Sequence, residues 1–182
     1  MNVELRRAMT VDEYLAWSES QSERPRTELI NGQVVMMPSE RVLHSRVKGR
    51  VHLALLQAVK AAGLPCEALP DGPTVRIDEH TAYEPDAMVY CGEPAAPNAL
   101  IIANPMIVVE VLSPTTAHSD TSAKLIGYFK VPSVAHYLVL DPDDRTVTHH
   151  TRDGTSIVLS SGLLRLDPPG IDLMVEDLLG LA

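Results

Sequence analysis

The stretch Met106 to Leu112, MIVVEVL, most constrains this chain: it is an almost uninterrupted apolar run of strand length. Such a run, rich in β-branched residues, is what a strand covered on both faces presents, so it predicts a buried central strand. Its one charge, Glu110, then needs a reason, because an ionised carboxylate is costly to bury unless it is paired or holds a cation. A salt bridge to an arginine or a place on an exposed edge would account for Glu110 without chemistry. A metal ion would account for it with chemistry.

The rest of the chain supplies partners for that strand. Thr10 and Glu13 form a capping box ahead of a short helix carrying Tyr14, Leu15 and Trp17, followed by the polar run from Ser18 to Arg26. Thr27 to Ile30, Asn31-Gly32 and Gln33 to Met37 read as a hairpin with a type I′ turn, closed by Pro38. Ser39 is placed to cap a long helix ending at Gly63, with Leu43, Val47, Val51, Ala54, Leu55, Ala58 and Ala62 as its apolar stripe. Glu67 to Leu69, the Pro70-Asp71-Gly72 turn and Thr74 to Ile77 predict a second hairpin, and Asp86 to Tyr90 a further strand. After a loop from Cys91 to Asn104 and the central strand, the pattern predicts a helix over 120–130. Strands follow at 135–140, 146–151 and 156–159, then a weak helix around 175–179. Many hairpins and few helices imply an α+β fold with a mixed sheet.

At 182 residues the chain is read as one domain, 1–182, and with 45% hydrophobic and 21% charged residues it has globular composition. No apolar stretch approaches the ~18 residues of a membrane span, and the N-terminus lacks a signal-peptide core, so a soluble cytoplasmic protein is expected. Cys66 and Cys91 show no metal-ligand spacing and are expected as reduced thiols. A net charge of −9 excludes nucleic-acid binding through the whole surface. One local exception runs from Arg41 to Lys60, where Arg41, Arg46, Lys48, Arg50 and Lys60 occur with no acidic residue.

Asp86 opens its strand directly after Pro85, and a neighbouring strand of one sheet would bring it within reach of an ion shared with Glu110. Two hard oxygen donors suit Mg²⁺ or Mn²⁺ rather than zinc. Asp86 alone would also pass as a turn residue. On the long helix, His44 marks the border of the apolar stripe, with Arg41, Lys48 and His52 beside it, so these four are candidates to meet a phosphate backbone. A boundary histidine and a solvated helix face are the plainer alternatives. His149 and His150 alternate across a strand, cannot share one ion and receive no role.

The strings PDAMVY (Pro85 to Tyr90) and IVVEVLSPTT (Ile107 to Thr116) are followed by Asp120, Lys124 and Tyr128 at spacing four, and then by HYLVLDP (His136 to Pro142). With TELINGQVVMMP upstream and His44 after it, the chain resembles the Uma-type restriction endonuclease family of the PD-(D/E)xK nuclease superfamily over about residues 10–150. The resemblance implies a restriction-endonuclease-like core and metal-dependent phosphodiester hydrolysis with DNA as substrate. Asp86 and Glu110 would be the acidic ligands, the Val111 carbonyl a third donor, and Glu28 an N-terminal glutamate holding a second metal or its water. The superfamily lysine would stand at position 112, where this chain has Leu112. Lys124, on one helical face with Asp120 and Tyr128, matches the place to which this family has moved it. Before the final strand, His136 and Leu138 replace the family's usual Glu and Trp. Action on both DNA strands suggests a homodimer. The rival reading is a catalytically silent scaffold that binds nucleic acid or protein, and the direction of the Lys124 amine separates the two.

Overall fold

The structure, a computed structural model, describes residues 7–23, 25–113 and 121–180. Helix α1 (Val11–Ser20) opens with the expected capping box, Thr10 accepting from the Glu13 amide and Glu13 from the Thr10 amide. Strands β1 (Thr27–Ile30) and β2 (Gln33–Met36) form the expected hairpin. Its turn residues Asn31 and Gly32 both have positive φ, 51° and 76°, as a type I′ turn requires. Only glycine fits at position 32, because a Cβ there would lie 2.5 Å from that of Ala8. Helix α2 (Val42–Ala62) stops at Gly63 in the left-handed conformation.

Then come β3 (Cys66–Pro70), β4 (Val75–Arg76), β5 (Ala82–Tyr83), β6 (Ala87–Cys91) and the central β7 (Pro105–Val111). Helix α3 (Thr121–Lys130) leads into β8 (His136–Asp141), β9 (Thr146–Thr151), β10 (Ser156–Leu159), β11 (Leu163–Leu166), β12 (Ile171–Met174) and α4 (Val175–Leu179). The main sheet has the order β10-β9-β8-β7-β6-β3. Its β7 and β8 are parallel and joined through α3, while the other pairs are antiparallel, so the sheet is mixed. A smaller sheet, β2-β1-β5-β4, carries the N-terminal hairpin, and β11 and β12 pair with each other. Among the described residues no helix is long and apolar enough to cross a membrane.

Strand β7 is covered on both faces, as its sequence demands. Ile107, Val109 and Val111 pack with Val47, Val51 and Leu55 of α2 on one side. Val108 packs with Tyr128 of α3, Tyr137 and Met88 on the other. By strand alternation Glu110 points to the α3 side with Val108.

Four expectations are corrected. Helix α2 begins at Val42, with Arg41 as N-cap and no side-chain cap bond, so Ser39 does not start it. The buried stripe of α2 is rotated relative to the expected one: Leu43 is 45% exposed whereas Lys48 is 7% exposed. The segments 67–69 and 74–77 do not form a hairpin, because β3 pairs with β6 and β4 with β5, and the turn between them carries the chain from one sheet to the other. Cys66 and Cys91 stand directly opposite in the β3–β6 register and form a disulfide, not two free thiols.

His136 and His149 are neighbours beneath the β8–β9 pair, with His136 Nδ1 2.8 Å from His149 Nε2. His136 Nε2 is 2.8 Å from the Pro168 carbonyl, which only accepts, so that nitrogen carries the proton and Nδ1 accepts from His149. Burial holds both rings below the usual imidazole range, and burial together with the charges of His136 and His150 takes His149 down to about 4. The folded state therefore binds protons less readily than the unfolded chain. The stability this pair contributes is complete above about pH 6.5 and is lost as pH falls from 6.5 toward 4. Urea midpoints measured across that window should fall with acidity in the wild type and fall less in His149→Gln, which keeps an N–H donor and cannot titrate. Equal slopes would remove the pair from the acid response.

Candidate active site

Three distant parts of the chain bring carboxylates to the α3 side of the sheet. The β6–β7 register pairs Ala87 with Val109 and Met88 with Val108, so Asp86, one residue before β6, falls opposite Glu110. The Asp86 amide donates to the Val109 carbonyl at 2.9 Å, and Asp86 Oδ2 accepts from the Val111 amide at 2.7 Å, which fixes the carboxylate against the strand. Glu28 comes from β1, where Leu29 turns to α1 and Glu28 to the other face. It is 1% exposed; its Oε1 accepts from the Glu84 amide at 3.0 Å, and its Oε2 is buried with no hydrogen-bond partner among the described residues.

Lys124 reaches these groups from α3. Its ammonium, 4% exposed as a residue, donates to Glu28 Oε1 and Glu110 Oε1, each at 2.9 Å, and lies 5.5 Å above the Tyr83 ring. Tyr128, one turn further along α3, donates its hydroxyl to the same Glu110 oxygen at 2.6 Å. The amine thus points into the carboxylate pocket and not into solvent. Asp120, expected on the same helical face, lies outside the described residues.

On its outer side Asp86 meets a second charge network. Its Oδ1 lies 3.2 Å from Lys48 Nζ, 3.5 Å from His44 Nε2 and 3.9 Å from Arg26. Lys48 also contacts Glu40 and Asp71, each at 2.6 Å. Arg26 binds Glu40 and lies 3.6 Å from Glu84. Glu40, His44 and Asp86 offer ligand atoms all within 4.8 Å of one another, a possible cation group, with the Lys48 ammonium against it. Among the described residues, six carboxyl groups (Glu28, Glu40, Asp71, Glu84, Asp86, Glu110) therefore share three permanent cations, Arg26, Lys48 and Lys124.

The two central carboxylates respond in opposite directions. Burial would raise Asp86, but the His44 hydrogen bond, the Val111 amide and Lys48 outweigh it and hold this group below the usual aspartate range. Burial raises Glu110 to about 8; Lys124 opposes the rise, and the charges of Asp86 and Glu28 add to it. Carboxylates pushed apart in this way occur at functional sites and in buried ion-pair networks alike.

Of the residues expected from the sequence, Asp86, Glu110, Val111, His44 and Lys124 line one pocket, and Glu28 joins it through Lys124. The basic strip is not one surface. Lys48 is withdrawn into the Glu40–Asp71–Asp86 network, His52 Nε2 lies 3.2 Å from the Ala68 carbonyl, and only Arg41 of the three is exposed. This corrects the placement of Lys48 as an exposed phosphate contact: its four-carbon stem lies in the buried face of α2, and its charge is taken up by three carboxylates. Arg26, Glu40, Asp71 and Glu84 were missed. Only Glu40, four residues before His44 and eight before Lys48, carried a helical-spacing signal.

The chain is 29% identical over 174 residues to the uncharacterized protein slr1290 of Synechocystis sp., covering 92% of this chain and 90% of that one. It is 27% identical over 157 residues to the uncharacterized protein sll1609 of the same organism, covering 85% and 86%. The crystal structure of a "putative nuclease belonging to DUF820" from Anabaena variabilis superposes with a TM-score of 0.77 at 20% identity, over 94% of this chain and 98% of that one. Its fold is shared. Residues 11–179 match the Uma2 family model, described as "Putative restriction endonuclease", and the chain belongs to that family, with its restriction-endonuclease-like fold.

Proposed function

We propose that this protein is a Mg²⁺- or Mn²⁺-dependent endonuclease that hydrolyses DNA phosphodiesters at the pocket of Asp86, Glu110 and Lys124. The carrying observation is the Lys124 ammonium, held at 2.9 Å from both Glu110 and Glu28 inside the pocket that Asp86 lines. The donor set fits a hard divalent cation: oxygen ligands, the orphaned Glu28 Oε2, and a Glu110 that burial and two neighbouring carboxylates keep from ionising readily. Asp86, Glu110 and the Val111 carbonyl would hold the ion, with Glu28 beside them. The chemistry that such an ion would supply there is polarisation of the scissile phosphate and compensation of charge on the leaving oxygen.

The chain's own groups supply the rest. Asp86 stays ionised because His44, the Val111 amide and Lys48 favour its charged form. Lys124 orients the attacking water and stabilises the charge that develops at phosphorus. DNA would approach over the start of α2, whose first turn has no acidic residue, with exposed Arg41 and Arg46 meeting phosphates and His44 and His52 behind them. A homodimer fits cleavage of both strands. A cytoplasmic location fits the substrate, and there the Cys66–Cys91 disulfide would meet reductants.

Titration calorimetry with Mn²⁺ should show binding to the wild type that is abolished by Asp86→Asn and by Glu110→Gln, and plasmid cleavage should vanish with chelator. Unchanged Mn²⁺ affinity in both variants would refute the ligand assignment. Lys124→Met should slow cleavage roughly 10²-fold, the scale of one positioned charge or acid-base group. The same variant strands the buried Glu28 charge, so urea unfolding should show a loss of about 3 kcal/mol, partly recovered when Glu28→Gln is added. A fully stable Lys124→Met would show that the ammonium does not compensate Glu28.

A further inference from the structure

Tyr128 lies wholly inside the protein, between two other tyrosines. Its ring meets Tyr83 edge-on with centroids 5.3 Å apart and Tyr137 at 5.1 Å. Tyr83 comes this close because residue 127 is glycine: a Cβ there would lie 2.6 Å from the Tyr83 ring. The ring is therefore fixed from both sides, and its hydroxyl is directed at Glu110 Oε1, 2.6 Å away.

That oxygen already accepts from Lys124. Both donors that Glu110 receives among the described residues thus fall on Oε1, and Oε2 receives none, although Glu110 lines the pocket. One donor on one oxygen leaves a carboxylate free to turn about that contact. Two donors arriving from successive turns of α3 stop the rotation and keep the second oxygen available. We infer that Tyr128 is a positioning residue that sets the orientation of Glu110 toward the cation. This inference rests on the reading of Glu110 as a ligand and adds to it the group that aims it. Partners of metal-binding carboxylates in this role typically change metal affinity by about 10- to 100-fold when removed.

Tyr128→Phe tests this, because it deletes the hydroxyl and keeps the ring between Tyr83 and Tyr137. Calorimetry with Mn²⁺ alone, well below the melting temperature of either protein, should give an affinity at least about tenfold weaker than wild type. Half-saturating Mn²⁺ for plasmid cleavage should rise by the same factor, and the rate at saturating Mn²⁺ should largely recover. A residue that merely packs would lower the melting temperature and leave both metal readouts in place. Equal Mn²⁺ affinity in the two proteins would overturn the role of Tyr128 while leaving Glu110 as a ligand. A wild type that takes up no Mn²⁺ would overturn the ligand reading, and this inference with it.

Discussion

The Lys124 ammonium is the interaction on which the site depends. It joins Glu28 of the N-terminal hairpin, Glu110 of the central strand and its own helix α3, three elements that share no local sequence signal. Such a buried polar cluster is a weak device for stability. Desolvating buried charges can cost more than their attraction returns, and apolar replacements of similar volume are often neutral or stabilising. Its presence in an otherwise tyrosine- and valine-rich cluster is better explained by what it holds in place than by the energy it contributes.

The second constraint is the imbalance around Asp86 and Glu110. These two carboxylates lie opposite each other on adjacent strands, yet one is held below its usual range and the other is pushed to about 8. The difference follows from their partners. Asp86 has a backbone amide, a histidine and two cations on its outer side. Glu110 faces inward, where one ammonium must serve two glutamates. The surroundings therefore favour charge on Asp86 and disfavour it on Glu110.

What the sequence revealed follows the range of the underlying physics. MIVVEVL identified its strand because burial on both faces is a property of seven consecutive residues, and Asn31-Gly32 identified its hairpin because the turn's positive φ values are local demands. Lys124 was accessible through its spacing and through family resemblance. The failures are pairings across distance. Cys66 and Cys91 meet only because β3 crosses to β6, and nothing within either segment announces that partner. Lys48 was read as facing solvent or phosphate because helical spacing sets it in one strip with Arg41 and His52 beside the apolar stripe. Its burial depends on Glu40, Asp71 and Asp86, brought from two loops and a strand end; of these only Glu40 stands at helical spacing from Lys48, and nothing along α2 encodes the other two. The β11–β12 hairpin escaped notice because Leu163 to Leu166 alternates too briefly to stand out from the surrounding turns.

Leu112 shows how this fold supplies an amine without a lysine on the strand. Positions 110 and 112 share a face of the extended chain, so a lysine at 112 would lie beside Glu110 on the strand itself. Leu112 instead packs at the border of the tyrosine cluster, and its amide donates to Leu140 at 2.8 Å, extending the ladder to β8. The amine descends from α3 across the same face, so its position depends on how that helix sits on the sheet. Gly127 and Tyr83 set the approach, Tyr128 and Tyr137 fix the rotation, and Arg152 binds the carbonyls of Phe129, Val131 and Val134 at the helix's end. A lysine on a strand inherits its geometry from the ladder. Here the geometry is inherited from side-chain packing, which makes the aromatic cluster beneath α3 part of the site.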